Sequence, residues 1–297
     1  MGKLNEKYGY EPSAEKINAF LSDIDSASKA LSSEKVLKDC FSMLDVTTLK
    51  TTDTPESVRK FVGRLNSFKR DYPTYPMPAS VCVYSNFASV VRETLEDKEV
   101  HATVTSACFP SSQSFLEVKL LECEKAVLSG ADEVDIVLAH NAFLGGEYDR
   151  ASEEIRAVRR TVNDAAASQG RSVILKVILE TGVIPTLSDV AEAAFLAIEA
   201  GADFIKTSTG KVEVNATPEV AVVMCECIKA YYQKTGKMIG FKPAGGMSTA
   251  ADALKYYYIV KTILGEKWLC KKYFRYGVSR MANNLVSEIE GEKRVVL

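Results

Sequence analysis

Apolar residues recur along this chain in two rhythms. Short, nearly unbroken apolar runs alternate with longer segments in which apolar positions return every three or four residues. The runs predict strands at Phe41–Val46, Ala79–Tyr84, His101–Ala107, Glu133–Ala139, Ser172–Glu180, Asp203–Ser208, Met238–Pro243 and Tyr273–Gly277. Each run is followed by a helical pattern: Pro55–Phe68, Ala88–Asp97, Ser112–Leu128, Tyr148–Ala167, Leu187–Ala200, Thr217–Gln233, Thr249–Leu264, and a closing helix that ends near Glu290. Two polar helical stretches, Ser13–Asp25 and Ser32–Asp39, precede the first strand. Continuous apolar strands suit a parallel sheet buried on both faces. Eight strand–helix units predict an α/β fold, a (β/α)8 TIM barrel. A doubly wound sheet would place its Gly-rich turn after the first strand, whereas the glycines here follow strands six to eight. The expected organisation is a helical extension over 1–40, one barrel over 41–290 and a tail over 291–297. The Pro-rich patch Asp71–Pro78 is a loop into the second strand, not a domain boundary.

Composition narrows the function classes. The chain has 297 residues, 46% hydrophobic and 26% charged, with a net charge of −2. That length suits a single large barrel. Nothing in the charge suggests a nucleic-acid footprint. The apolar runs are too short to span a bilayer, and the N-terminal MGKLNEKYGY lacks a signal-peptide core. Glu6 stands where a myristoylation pattern wants Ser or Thr. The seven cysteines, Cys40, Cys82, Cys108, Cys123, Cys225, Cys227 and Cys270, are scattered and odd in number. They are expected as reduced thiols of a cytoplasmic protein. The two histidines, His101 and His140, have no partner at metal-ligand spacing, so no metal site is expected.

The candidate chemistry sits at strand ends, where a barrel carries its active site. GADFIKTSTGK (Gly201–Lys211) and GFKPAGG (Gly240–Gly246) each end a strand in a lysine and turn at once on glycines. Lysine is rarely buried without a partner or a chemical task. Two adjacent lysines repel, and the simplest relief is loss of one proton, which leaves a nucleophile for carbonyls. The turns Thr209-Gly210-Lys211, Gly245-Gly246 and Gly277-Val278-Ser279 could offer backbone N–H groups to a phosphate. They could equally be tight βα turns. Lys206, Lys242, Asp135, Lys176 and Asp45 are expected in the barrel interior. Asp135 with Lys176 could be a structural ion pair, Asp45 a turn cap, and Cys82 a small core residue. Asp132 and Glu133 are expected at the loop and the entry of the fourth strand.

With those residues in view, the chain closely resembles the deoxyribose-phosphate aldolase family. The likeness runs from LDVTTL (Leu44–Leu49) to about Asn284, through GADEVDIV, ILKVILETG, GADFIKTSTGKVEVNATPE, GFKPAGG and FRYGVS. The resemblance implies a class I aldolase and lyase that reversibly cleaves 2-deoxy-D-ribose 5-phosphate to acetaldehyde and D-glyceraldehyde 3-phosphate, in deoxyribonucleotide and carbohydrate catabolism. It places the Schiff-base lysine on Lys206, the lysine that perturbs it on Lys242, and the acid/base aspartate on Asp135. Thr47, Lys176 and Lys211 match positions that contact substrate or support the site, and Gly210, Gly245, Gly246 and Ser279 match the phosphate cradle. Asp45, Thr209 and Gly277 complete the substrate and phosphate sets expected here. No cofactor is expected, because an iminium serves as the electron sink. A phosphorylated sugar is the expected partner, with a homodimer as one compatible assembly.

Three features depart from the family pattern. The tail GEKRVVL lacks the C-terminal tyrosine that some members bring to the enamine carbon. VTSACFPSSQS replaces a shorter turn with a Gly after its Phe-Pro. Arg280 stands where relatives often have a second serine, either as a phosphate contact or as a helix-surface residue. The competing expectation is a barrel with weak or no aldolase activity that serves as a protein-binding scaffold.

Overall fold

The computed structural model describes residues 2–297. Four short helices come first: α1 (Lys3–Tyr8), α2 (Ala14–Leu21), α3 (Ile24–Lys29) and α4 (Glu34–Ser42). The strands are β1 (Leu44–Thr47), β2 (Ser80–Tyr84), β3 (His101–Thr105), β4 (Glu133–Val137), β5 (Ile174–Ile178), β6 (Phe204–Lys206), β7 (Gly240–Lys242) and β8 (Tyr276–Val278). Between and after them run α5 (Pro55–Asp71), α6 (Ala88–Thr94), α7 (Leu116–Leu128), α8 (His140–Phe143), α9 (Tyr148–Ala167), α10 (Leu187–Glu199), α11 (Pro218–Thr235), α12 (Ala250–Ile263) and α13 (Met281–Glu290).

The strands are all parallel, in the order β7-β6-β5-β4-β3-β2-β1-β8. Bridges between Phe241 and Phe274 and between Ala244 and Gly277 bring the two ends together, so the sheet closes into a (β/α)8 barrel. Helix starts follow local chemistry. Thr54 and Thr249 form capping boxes with Ser57 and Asp252, and Thr217 caps α11 with Pro218 in its first turn.

The elements differ from the sequence expectation where an apolar run fits either period. Phe41 and Ser42 complete α4, and β1 begins only at Leu44. Phe41 stacks on Phe68 of α5 at 4.9 Å between ring centroids, so a helical face buries it. Ser13–Asp25 divides into α2 and the start of α3. The eighth strand lies later than Tyr273–Gly277, because Tyr273 and Phe274 donate to the Cys270 carbonyl in a turn. The short helices α1 and α8 carry too few periodic positions to stand out in sequence.

Close packing fixes the seam between β6 and β7. A Cβ on Gly240 would lie 2.3 Å from the Phe204 ring, so only glycine lets these strands approach.

Candidate active site

Alternation along the strands decides which side chains share the interior. Asp45 lies on β1, Glu133 and Asp135 on β4, Lys176 on β5, Lys206 on β6 and Lys242 on β7, with Arg275 just before β8. Register sets Asp135 beside Lys176, and Lys206 beside Lys242. Asp135 is the hub: Oδ1 accepts from Lys176 Nζ at 2.8 Å, and Oδ2 accepts from Lys206 at 2.9 Å and Lys242 at 2.8 Å. Asp45 Oδ2 lies 2.5 Å from Lys242 Nζ as an ion pair without hydrogen-bond alignment. Its Oδ1 accepts from Arg275 at 2.6 Å. Arg275 also donates to Glu133 Oε1 at 2.7 Å, and Lys176 pairs with Glu133 as well.

Glu133 opens the fourth strand, as expected, but its side chain was not expected among the interior charges. It is fully buried and part of the charged interior. The signal was present, since Glu133 and Asp135 are two apart and must share a face of one strand. Arg275 and Glu180 were also missed. Glu180 accepts from the Thr209 amide at 3.0 Å and the Thr209 hydroxyl at 2.5 Å, which pins the turn after β6.

Burial disfavours every one of these charges, so the partners decide the outcome. Burial, opposed by Asp135 and reinforced by the Lys242 ammonium, lowers Lys206 below the ordinary lysine range. For Lys242, the carboxylates of Asp135 and Asp45 outweigh burial and hold the ammonium charged. Burial is likewise outweighed at Lys176 by Asp135 and Glu133, and the ammonium stays charged. Against burial, the three lysines keep Asp135 well below the usual carboxylate range. Burial pushes the Cys82 thiol up.

Above this layer opens a cavity of about 380 Å³, lined by Thr47–Lys50, Lys206, Thr209–Lys211, Ala244–Ser248 and Gly277–Arg280. Its lining carries Lys50, Lys206, Lys211 and Arg280 and no carboxylate. That balance suits an anion. Thr47, Lys206, Thr209, Gly210, Lys211, Gly245, Gly246, Gly277 and Ser279 meet at this one cavity. Asp45, Asp135, Lys176 and Lys242 do not line it; they lie beneath it at 0% exposure. Lys206 alone of the interior lysines reaches from the charged layer into the cavity. Gly245 and Gly246 both take φ of 77°, which frees their turn for close approach by a ligand. Lys211 reaches across to donate to the Leu49 carbonyl at 2.5 Å.

The tail does not enter the cavity. The Val296 and Leu297 amides donate to Asn283 Oδ1 at 2.8 and 2.9 Å, folding residues 291–297 against α13. Arg280 is exposed at the cavity wall.

Comparison with known proteins agrees with this architecture. The family described as DeoC/LacD family aldolase matches residues 66–258, more than half of the chain. A Caenorhabditis elegans protein named "Putative deoxyribose-phosphate aldolase" is 38% identical over 268 residues, spanning 89% of this chain and 85% of that protein. Two solved structures share the fold. One is a Toxoplasma gondii protein described as a "putative deoxyribose-phosphate aldolase", with TM-score 0.73 and 21% identity over 87% of this chain and 98% of that one. The other is deoxyribose phosphate aldolase from Aeropyrum pernix, described as a unique tetrameric structure, with TM-score 0.67 and 23% identity over 93% of this chain and 98% of that one. With the match to the family and the close relative in agreement, the chain belongs to the DeoC/LacD family of aldolases.

Proposed function

We propose that this aldolase reversibly cleaves 2-deoxy-D-ribose 5-phosphate to acetaldehyde and D-glyceraldehyde 3-phosphate through a Schiff base on Lys206. The observation that carries the proposal is the placement of Lys206. It is a lysine of lowered pKa at the floor of a carboxylate-free cavity, and it shares one oxygen of Asp135 with the charged Lys242.

The neutral Lys206 amine attacks C1 of the open-chain sugar, and loss of water gives a protonated imine. Asp135, with Lys242 and a water, accepts the proton of the C3 hydroxyl. The O–H electrons form the new C3 carbonyl, the C2–C3 bond breaks, and its electron pair moves into an enamine at C2. D-glyceraldehyde 3-phosphate leaves. A proton returns to C2, and water hydrolyses the resulting imine to acetaldehyde and free Lys206. Asp45 and Lys176 hold Lys242 and Asp135 in place from below, while Thr47, Thr209 and Lys211 face the sugar. Backbone N–H groups at Gly210 and Gly246, with the Ser279 hydroxyl, receive the phosphate. Gly245 and Gly277 line the same cradle, but the Gly277 amide donates to the Pro243 carbonyl at 2.9 Å and the Gly245 amide faces the Gly277 carbonyl at 3.4 Å.

The Aeropyrum pernix relative bears the same activity in its name, and the Caenorhabditis elegans protein is described in the same terms. The test is acetaldehyde release from 2-deoxyribose 5-phosphate, followed in a coupled assay beside unphosphorylated 2-deoxyribose. Release from the phosphorylated sugar with a clear preference over the free sugar is expected. No release from either, by folded protein, would refute the reading.

A further inference from the structure

The buried charges of the barrel interior can be counted. Three are carboxylates, Asp45, Glu133 and Asp135, and three are cations held by those carboxylates, Lys176, Lys242 and Arg275. All six are at most 2% exposed. They cancel without Lys206. A proton on Lys206 would leave one positive charge uncompensated at the boundary between the buried layer and the cavity, where it is disfavoured.

We propose that Arg275 and Glu133 are positioning residues that set the net charge of the barrel interior and thereby keep Lys206 neutral and nucleophilic. Neither lines the cavity. Arg275 is nonetheless tied to the site by continuous contact. Its guanidinium bridges Asp45 and Glu133, Asp45 pairs with Lys242, and Glu133 pairs with Lys176. Both lysines then meet Lys206 at Asp135. Repulsion from Lys242 alone is offset by Asp135, which contacts both lysines; the count over the whole interior adds to burial in favouring the neutral amine. The remaining groups that face this network are the Cys82 thiol on β2, kept neutral by burial, and His101 on β3. His101 Nδ1 lies 2.6 Å from Glu133 Oε1, with its side chain 40% exposed.

This inference rests on the aldolase reading, but its test does not need turnover. The pKa of Lys206 is read from the pH dependence of its acetylation by acetic anhydride, mapped by mass spectrometry in the full-length protein. It is compared with the acidic limb of kcat/KM. Arg275→Met removes a cation and is expected to raise both by about one pH unit, the scale of a unit charge about 10 Å away at an effective dielectric of about 20. Glu133→Gln is expected to lower both. The double variant Glu133→Gln/Arg275→Met restores the cancellation and is expected to return both toward the wild-type position, which a merely structural role would not do. Arg275→Lys keeps the charge and should leave Lys206 near its wild-type pKa. If Arg275→Met does not fold, Glu133→Gln and the double variant carry the test. A Lys206 pKa that stays fixed, or moves the same way in both single variants, overturns the proposal. An acetylation pKa that moves as expected in a protein without turnover would refute the aldolase reading and leave this one standing.

Discussion

Lys206 illustrates how one residue can oppose the stability of its own fold. Burial lowers its folded pKa below the unfolded value, so between the two the unfolded chain binds a proton that the folded chain has given up. Folding is weakened by that difference, and the loss disappears as pH rises toward the unfolded lysine value of about 10.4. Lys206→Met should therefore abolish turnover while raising the melting temperature at pH 7, with a smaller gain at pH 10. Calorimetry at both pH values checks this, and a lowered melting temperature at pH 7 would contradict it. Arg280 poses a different question, because its exposed guanidinium faces the cavity with Lys50 and Lys211. If it meets the phosphate, Arg280→Ser should raise KM for the phosphorylated sugar about tenfold, the worth of one charge-assisted hydrogen bond. Turnover of unphosphorylated 2-deoxyribose should not change. Equal effects on both sugars would place Arg280 outside phosphate recognition.

At the scale of elements, the chain before the barrel is joined to the outer ring of helices by specific contacts. The Leu4 and Asn5 amides donate to the Glu192 carboxylate on α10 at 3.0 and 3.1 Å. The Tyr8 ring stacks on Phe195 at 4.5 Å between centroids, and the Tyr8 hydroxyl donates to Glu199. Glu192 is 4% exposed, so its loss leaves buried amides without an acceptor. Glu192→Ala should cost about 2 kcal/mol, or roughly 3 °C in melting temperature, and leave KM unchanged because none of these groups lines the cavity. Denaturant titration beside steady-state kinetics separates the two effects, and a change in KM would mean that the extension reaches the site.

Sequence pattern located these elements unevenly. Pro55, Pro218 and the threonines before them are local signals, and the helix starts at α5 and α11 follow them. Strand ends are set by ladder partners distant in sequence, so β6 retains only Phe204–Lys206 of the run expected through Ser208. Lys206 and Lys242 stand out in sequence because a lysine ending an apolar strand conflicts with its surroundings. Arg275 does not stand out, because it precedes a three-residue strand and only the closed barrel turns it inward; Glu133 carries only the weaker signal of its spacing from Asp135.

For the molecule as a whole, the charged interior ties stability to pH. Despite burial, cationic neighbours hold Asp45, Glu133 and Asp135 below the ordinary carboxylate range. Their contribution is fully present above the unfolded carboxylate pKa of about 4 and is lost as pH falls toward the depressed folded values. The guanidinium midpoint should hold between pH 7 and pH 5 and fall steadily below about pH 4. A midpoint unchanged at pH 3 would mean that folding does not lower the pKa of the three acids.

The most direct test of the central claim is borohydride reduction in the presence of acetaldehyde, followed by intact mass and peptide mapping. The account predicts a single reduced two-carbon adduct on Lys206, absent in Lys206→Met. An adduct on Lys242 or Lys176 would contradict the assignment of the nucleophile, and a folded protein that forms no adduct would contradict the Schiff-base mechanism itself.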